Sequence, residues 1–148
     1  MIIPSEGNSF DVDADGRVNT VNCVGVMGTG VALAFRKRYP KMFADYRDAC
    51  HAGLVRPGLM HVWCCAGGAT IVNFPTKRHW RDRSRYEDIE AGLESLRGYL
   101  LPLGKVVVTL PALGCGNGGL SWTRVKDAIH GHLETLDADI FLFGPVKR

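Results

Sequence analysis

Three stretches of this 148-residue chain carry residue types and spacings that could do chemistry. In Val18–Phe35, VNTVNCVGVMGTGVALAF, a short apolar run ending at Asn22 leads into a loop with Gly25, Gly28 and Gly30, and then into the start of a helix at Val31. A glycine turn between strand and helix lets backbone N–H groups close on an anion, and the helix N-terminus adds a positive dipole end. No Lys-Ser or Lys-Thr follows Gly30, so this is not a P-loop, and G-x-x-G-x-G is not the G-x-G-x-x-G order of a dinucleotide turn. A tight glycine turn without a ligand is the other reading. Pro111–Leu120, PALGCGNGGL, sets four glycines and Asn117 ahead of a second helical pattern. Lys77, Arg78, His79, Arg81, Arg83 and Arg85 fall within nine residues, with Trp80 among them. Such a cluster suits phosphates or nucleic acid, and equally a solvated loop.

The elements that must position these stretches follow from periodicity and punctuation. Apolar runs predict strands over Met1–Pro4, Val18–Asn22, Leu59–Cys65, Thr70–Phe74, Lys105–Leu110 and Ala138–Phe143. Pro4 assigns the first to a sheet edge, and Gly67-Gly68 joins the third and fourth as a hairpin or a closely spaced strand pair. One helix starts at Val31 and ends before Pro40, and a second runs from Lys41 to His51. Ile89, Leu93, Leu96 and Leu100 recur at helical spacing, and Ser84 with Glu87 reads as a capping box for a helix from about Arg85. Val125, Ile129, Leu133 and Leu136 mark a fourth helix with Ser121 as its N-cap. Strands alternating with helices predict a three-layer α/β/α fold on a mixed, mostly parallel sheet. Both glycine loops then lie at the carboxyl ends of strands, where ligands bind. Two anion cradles on one rim point to a ligand with two phosphates, a diphosphate-bridged nucleotide.

Composition bounds the rest. Hydrophobic residues make up 46% and charged residues 22%, which excludes a disordered chain. Five cysteines without a C-x-x-C pair or zinc-type spacing predict reduced thiols, no structural metal and no cofactor. With no leader-like or membrane-length apolar segment, a cytoplasmic, monomeric protein without membrane contact is expected, residues 1–148 forming one domain with no additional toxin-binding domain.

The segments VNTVNCVGVMGTGVALAF, NFPTKRHWR, SRYEDIEAGL and LPALGCGNGGLSW together resemble the macrodomains, and within them the DarG-type branch of ADP-ribosyl glycohydrolases. The resemblance spans nearly the whole chain in the right order. It implies ADP-ribose in a cleft on one rim, and removal of ADP-ribose from a macromolecule: ADP-ribosylated DNA bases, or protein carboxylate esters. It further implies that Asn22 bonds the distal ribose, that Gly28, Thr29 and Gly30 line the diphosphate and distal ribose, and that Leu113, Gly114, Cys115, Gly116, Asn117, Gly118 and Gly119 wrap the diphosphate. Lys77 takes the position of the catalytic lysine, acting by proton transfer or by a covalent adduct. Asn8 stands where many macrodomains have an aspartate that receives the adenine amino group, and Phe143 is a candidate to stack on adenine. His79, Trp80 and Arg81 are candidate substrate contacts. Cys115 is read as a small loop residue, not a nucleophile. The related terminal ADP-ribose protein glycohydrolase uses an aspartate in its second loop, where this chain has Asn117-Gly118-Gly119. A reader that binds ADP-ribose without cleaving it, and an ADP-ribose 1″-phosphate phosphatase, are the alternative activities.

Overall fold

The computed structural model describes residues 1–145. Six strands, β1 (Ile2–Ser5), β2 (Gly16–Val21), β3 (His61–Cys64), β4 (Thr70–Pro75), β5 (Val107–Leu110) and β6 (Asp139–Phe143), form one sheet in the order β1-β6-β5-β2-β4-β3. Every pairing is parallel except β3 with β4, the antiparallel hairpin anticipated around Gly67-Gly68. The mixed, mostly parallel sheet is therefore the one expected, with β1 and its Pro4 on an edge.

Helices cover both faces, and the period of two along each strand decides what each face meets. Val18 of β2, Val72 and Phe74 of β4, and Val108 and Leu110 of β5 pack against α3 (Tyr86–Leu100) and α4 (Trp122–Leu133) through Ile89, Leu93, Leu96, Val125, Ile129 and Leu133. The alternate residues Val21 and Ile71 face α1 (Gly30–Arg38) and α2 (Pro40–His51), where Phe35, Met42 and Tyr46 are buried. Tyr39 breaks the chain between α1 and α2, and Pro40 opens α2, where its missing N–H costs nothing. α1 ends in Arg36-Lys37-Arg38, cations that suit its negative dipole end.

The α1–α2 side is not wholly apolar. Asn19 and Asn73 are fully buried and joined Nδ2 to Oδ1 at 3.0 Å; Asn73 Nδ2 donates to His61 Nδ1 at 2.9 Å, and His61 Nε2 meets Asp45 at 2.8 Å. This chain of bonds replaces water for most of these groups, while the buried Asn19 Oδ1 is left without a partner among the described residues.

One expected device is absent. Ser84 does not cap α3: the N-cap is Arg85, without a side-chain cap bond, and no capping box forms with Glu87. The Ser84 N–H instead donates to the Gly118 carbonyl at 3.1 Å, which draws Ser84 away from the helix end and under the second glycine loop. Ser121 does occupy the N-cap position of α4, though its hydroxyl makes no cap bond.

Candidate functional site

Because five strands run parallel, the segments that follow β1, β6, β5, β2 and β4 all emerge on one rim. Their order along the rim sets the order of the candidate residues. Asn8 follows β1 and Phe143 closes β6; Leu113–Gly119 follows β5; Asn22–Gly30 follows β2; Lys77 follows β4. Four inter-strand steps of about 4.8 Å separate the two ends by roughly 19 Å.

The first loop is organised by Asn22, which is 8% exposed. Its Oδ1 accepts from the Val24 and Val26 N–H groups at 3.1 and 3.3 Å, and its Nδ2 donates to the Val26 carbonyl at 2.7 Å. The Tyr46 hydroxyl, brought up from α2, donates to the Asn22 carbonyl at 2.7 Å and lies 2.9 Å from Oδ1. One Nδ2 hydrogen is left for a ligand, so the expected bond to a ribose hydroxyl has a donor and no spare acceptor. Burial, with Cys50 beside it, pushes the Tyr46 phenol far above its ordinary value, so it remains a donor at all working pH values.

Lys77 stands next to this loop because the β2–β4 pairing continues past both strands. Thr76 and Lys77 donate to the Val21 carbonyl at 2.9 and 3.4 Å, and the Cys23 N–H donates to the Arg78 carbonyl at 3.2 Å. The Lys77 Nζ reaches only the Trp80 carbonyl, at 3.5 Å, and the residue is half-buried. Arg78 turns away to a paired contact with Asp88, both bonds 3.1 Å. His79 stacks on Trp80 with centroids 5.1 Å apart and accepts from the Arg81 N–H, while the Arg81 guanidinium lies 4.6 Å over the Trp80 ring.

The second loop is shaped by what it lacks. A Cβ on Gly118 would stand 2.3 Å from Ser84 Oγ and 2.4 Å from the Gly114 carbonyl oxygen. Gly119, at φ +77°, carries the Arg83 guanidinium so closely that a Cβ would lie 2.8 Å from its nitrogen. Neither position can hold a side chain without moving its neighbour. Leu113 is fully buried in the α3–α4 core, leaving only its backbone for a ligand. Burial pushes the Cys115 thiol up to about 11, and Sγ rests 3.4 Å from the Leu113 carbonyl, in keeping with a packing role and not a nucleophile.

The two glycine loops meet: Asn117 Nδ2 donates to Thr29 Oγ1 at 3.4 Å. Thr29 is the N-cap of α1, and its hydroxyl faces the second loop instead of capping the helix. Among the described residues, the exposed N–H groups of Gly28, Thr29, Gly116 and Asn117 make no hydrogen bond within the protein. With the open N-terminus of α1 they leave a set of free donors on the two adjoining loops, suited to a diphosphate.

At the far end, Asn8 is the N-cap of a 3₁₀ turn, Ser9–Asp11, and its Oδ1 accepts from Phe10 N–H at 3.0 Å. An amide oxygen has a second lone pair, so an adenine amino group can still be received. The segment is fixed by buried Arg17, which donates to the Ser9 and Val12 carbonyls, and by Phe10 against Phe35 at 5.0 Å. Phe143 is half-buried and, by alternation with Leu142, faces away from the α3–α4 core. Its position at the rim beside the Asn8 segment is compatible with stacking.

Two supports escaped the sequence reading. Tyr46 lies on the buried stripe of α2 with Met42, and a phenol on such a stripe needs a partner, which was the available signal. Ser84 gave a false signal, because S-x-x-E looks the same whether or not a cap forms. Two concavities lie elsewhere: a groove of about 270 Å³ between α3 and α4 lined by Tyr86, Glu87, Arg124 and neighbours, and one of about 200 Å³ at the opposite end of the sheet near Tyr99 and Leu103. Neither gathers convergent donors like those on the rim.

The fold and this rim are those of the macro domain family, and residues 18–129 match it: the chain belongs to that family. It is 43% identical over 98% of its length to a DNA ADP-ribosyl glycohydrolase of Mycobacterium tuberculosis, and it spans 42% of that relative's length. A relative of the same name from Thermus aquaticus is 42% identical over 96% of the chain, which spans 41% of it. Among solved structures, the macrodomain of Mycobacterium tuberculosis DarG superposes with a TM-score of 0.92 at 42% identity, covering 99% of both chains. Thermosipho africanus DarTG in complex with ADP-ribose superposes with a TM-score of 0.92 at 29% identity, over 99% of this chain and 42% of that one.

Proposed function

We propose that this protein is an ADP-ribosyl glycohydrolase that removes ADP-ribose from a macromolecule, with ADP-ribosylated DNA bases the preferred substrate. One observation carries the reading. The sheet order sets the Asn8 and Phe143 edge, the two donor-bearing glycine loops and Lys77 in line, and adenine, diphosphate and distal ribose follow one another in that order in ADP-ribose. The anomeric carbon then falls beside Lys77, at the β4 end.

Breaking the glycosidic bond builds positive charge on the ribose ring and negative charge on the departing group. An ammonium beside the ring opposes the first and favours the second, so Lys77 acts on the departing group. It donates its proton to the base as the C1″–N bond breaks, water supplies the oxygen that C1″ gains, and the water's proton passes to solvent and restores the lysine. The loops themselves, Asn22–Gly30 and Pro111–Ser121, contain no carboxylate, so the two-carboxylate arrangement of common glycosidases has no counterpart in them. Asn22 orients the ribose with its one free N–H, and Tyr46 holds Asn22.

The test is release of free ADP-ribose from ADP-ribosylated single-stranded DNA and, in parallel, from glutamate-ADP-ribosylated protein, with wild type and Lys77→Ala. Lysine-dependent release from DNA is expected, with Lys77→Ala still binding ADP-ribose. Release only from protein moves the substrate to carboxylate esters, and binding without release from either defeats the enzyme reading. A wild-type adduct trapped with borohydride would replace proton donation with covalent chemistry at Lys77.

A further inference from the structure

The net positive charge of this protein is carried by one loop. The ten residues Lys77–Tyr86 hold five of its 18 basic residues and one of its 15 acidic ones, so the rest of the chain is slightly acidic. Arg78 is neutralised by Asp88, but Lys77, Arg81, Arg83 and Arg85 form no ion pair among the described residues. Trp80, between them, is 46% exposed, although a large aromatic ring usually buries most of its area. The loop is held at both ends and across its middle. The Arg78 carbonyl accepts from Cys23, Ser84 N–H bonds Gly118, and a turn closes from Asp82 N–H to the His79 carbonyl at 3.0 Å. The cations and the indole are therefore presented from a fixed frame.

The diphosphate of ADP-ribose does not account for this charge, since the glycine loops already supply its donors from the backbone. We infer that the loop is a track for the nucleic acid single strand on either side of the modified base, with a flanking base lying on the exposed part of the Trp80 indole beside His79 and Arg81, and with Arg81 and Arg85 meeting phosphates. The inference rests on the reading of the site as a DNA glycohydrolase and adds where its substrate's strand runs. Single strands are bound by this pairing of aromatic faces with a line of cations, and stacking tolerates any base. Among the described residues no helix or strand stands free at this rim to enter a duplex groove, because every element leading to it is packed in the sheet or against it. An acidic peptide would use the arginines but not the exposed part of the indole.

Fluorescence anisotropy with an unmodified, labelled single-stranded oligodeoxynucleotide of about twelve residues tests the track without any ADP-ribose being released, so it can fail or succeed independently of the glycohydrolase reading. The wild type should bind, and affinity should fall with salt at about 0.7 log units per log unit for each phosphate engaged. Arg85→Gln should remove about one such increment, and Arg81→Gln/Arg85→Gln about two. Trp80→Ala should weaken binding roughly tenfold or more at fixed salt. ADP-ribose affinity of each variant, measured by calorimetry, reports whether the glycine loops remain built. The track is overturned if the wild type does not bind the strand at low salt, if the double variant keeps the wild-type slope, if duplex or polyglutamate binds as tightly as the single strand, or if ADP-ribose affinity falls as far as strand affinity.

Discussion

The two glycine loops of the rim are fixed by opposite means. The first is held by side chains: Asn22 closes it with three hydrogen bonds, and Tyr46 reaches across from α2 to hold Asn22. The second is held by backbone bonds and bare glycines: Cys115 N–H to Ala112, Gly119 N–H to Gly116, Leu120 N–H to Gly114, and Gly118 pressed on Ser84. A free N–H needs a loop that is open on one side and fixed on the other. Here the fixing comes from added atoms in one loop and from omitted atoms in its neighbour. Mutation should reveal this as opposite sensitivities.

The second loop should break when a side chain is added. Gly118→Ala must displace both the Ser84 hydroxyl and a backbone carbonyl, which costs about 3 kcal/mol by overpacking. Thermal melting should register that loss, and calorimetry should find ADP-ribose binding largely abolished. Ser84→Ala relieves one of the two contacts, so the Gly118→Ala/Ser84→Ala pair should stay defective. The first loop should break when a side chain is taken away. Asn22→Ala leaves the Val24 and Val26 N–H groups without an acceptor and the Val26 carbonyl without its donor, for about 2 kcal/mol, and Tyr46→Phe costs about 1 kcal/mol, both read as a urea midpoint at unchanged slope. ADP-ribose affinity should fall with the first and change less with the second.

Ser84→Ala alone sharpens the contrast. Its hydroxyl is buried without a hydrogen-bond partner, so removing it should leave stability within about 0.5 kcal/mol of wild type or raise it slightly. A loss larger than 1 kcal/mol in the same urea titration would mean that the hydroxyl holds the loop. The smallest effect is alkaline. Each loop carries one thiol whose ionisation burial raises from 9.0 to about 11, Cys23 in the first and Cys115 in the second, with Cys50 adding to the effect at Cys23. The folded state keeps these protons longer than the unfolded chain does. Their contribution is therefore whole below pH 9 and declines as pH rises through the interval up to about 11. Melting temperatures across that interval should fall less steeply in Cys115→Ala than in wild type.

This contrast also explains what could be read from sequence. Glycine spacing, the apolar run of β5 and the helical period of α3 are local properties, and each foretold its element. That Asn22 ends a strand before a glycine loop was equally local. What Asn22 touches depends on Tyr46, 24 residues further on in a different layer, and no local pattern carries that distance. Ser84 and Glu87 have the spacing of a cap, yet a single bond to Gly118 outweighs it, because tertiary pairing of a buried N–H is worth more than an exposed helix-end bond. The glycines of the second loop were legible as flexible, whereas most of their purpose is close packing, which is visible only once Ser84 and Arg83 are in place.

The clasps among the three rim segments have a consequence for motion. Cys23 N–H bonds the third segment, Ser84 N–H bonds the second, and Asn117 spans the second and the first. No segment can lift without releasing another, so amide protons at Cys23, Lys77 and Ser84 should exchange with deuterium at a common rate, close to that of the central strands and far slower than that of Gly67 in the β3–β4 turn. The rim then behaves as part of the sheet it stands on: it is built when the domain folds, and lost when the domain unfolds.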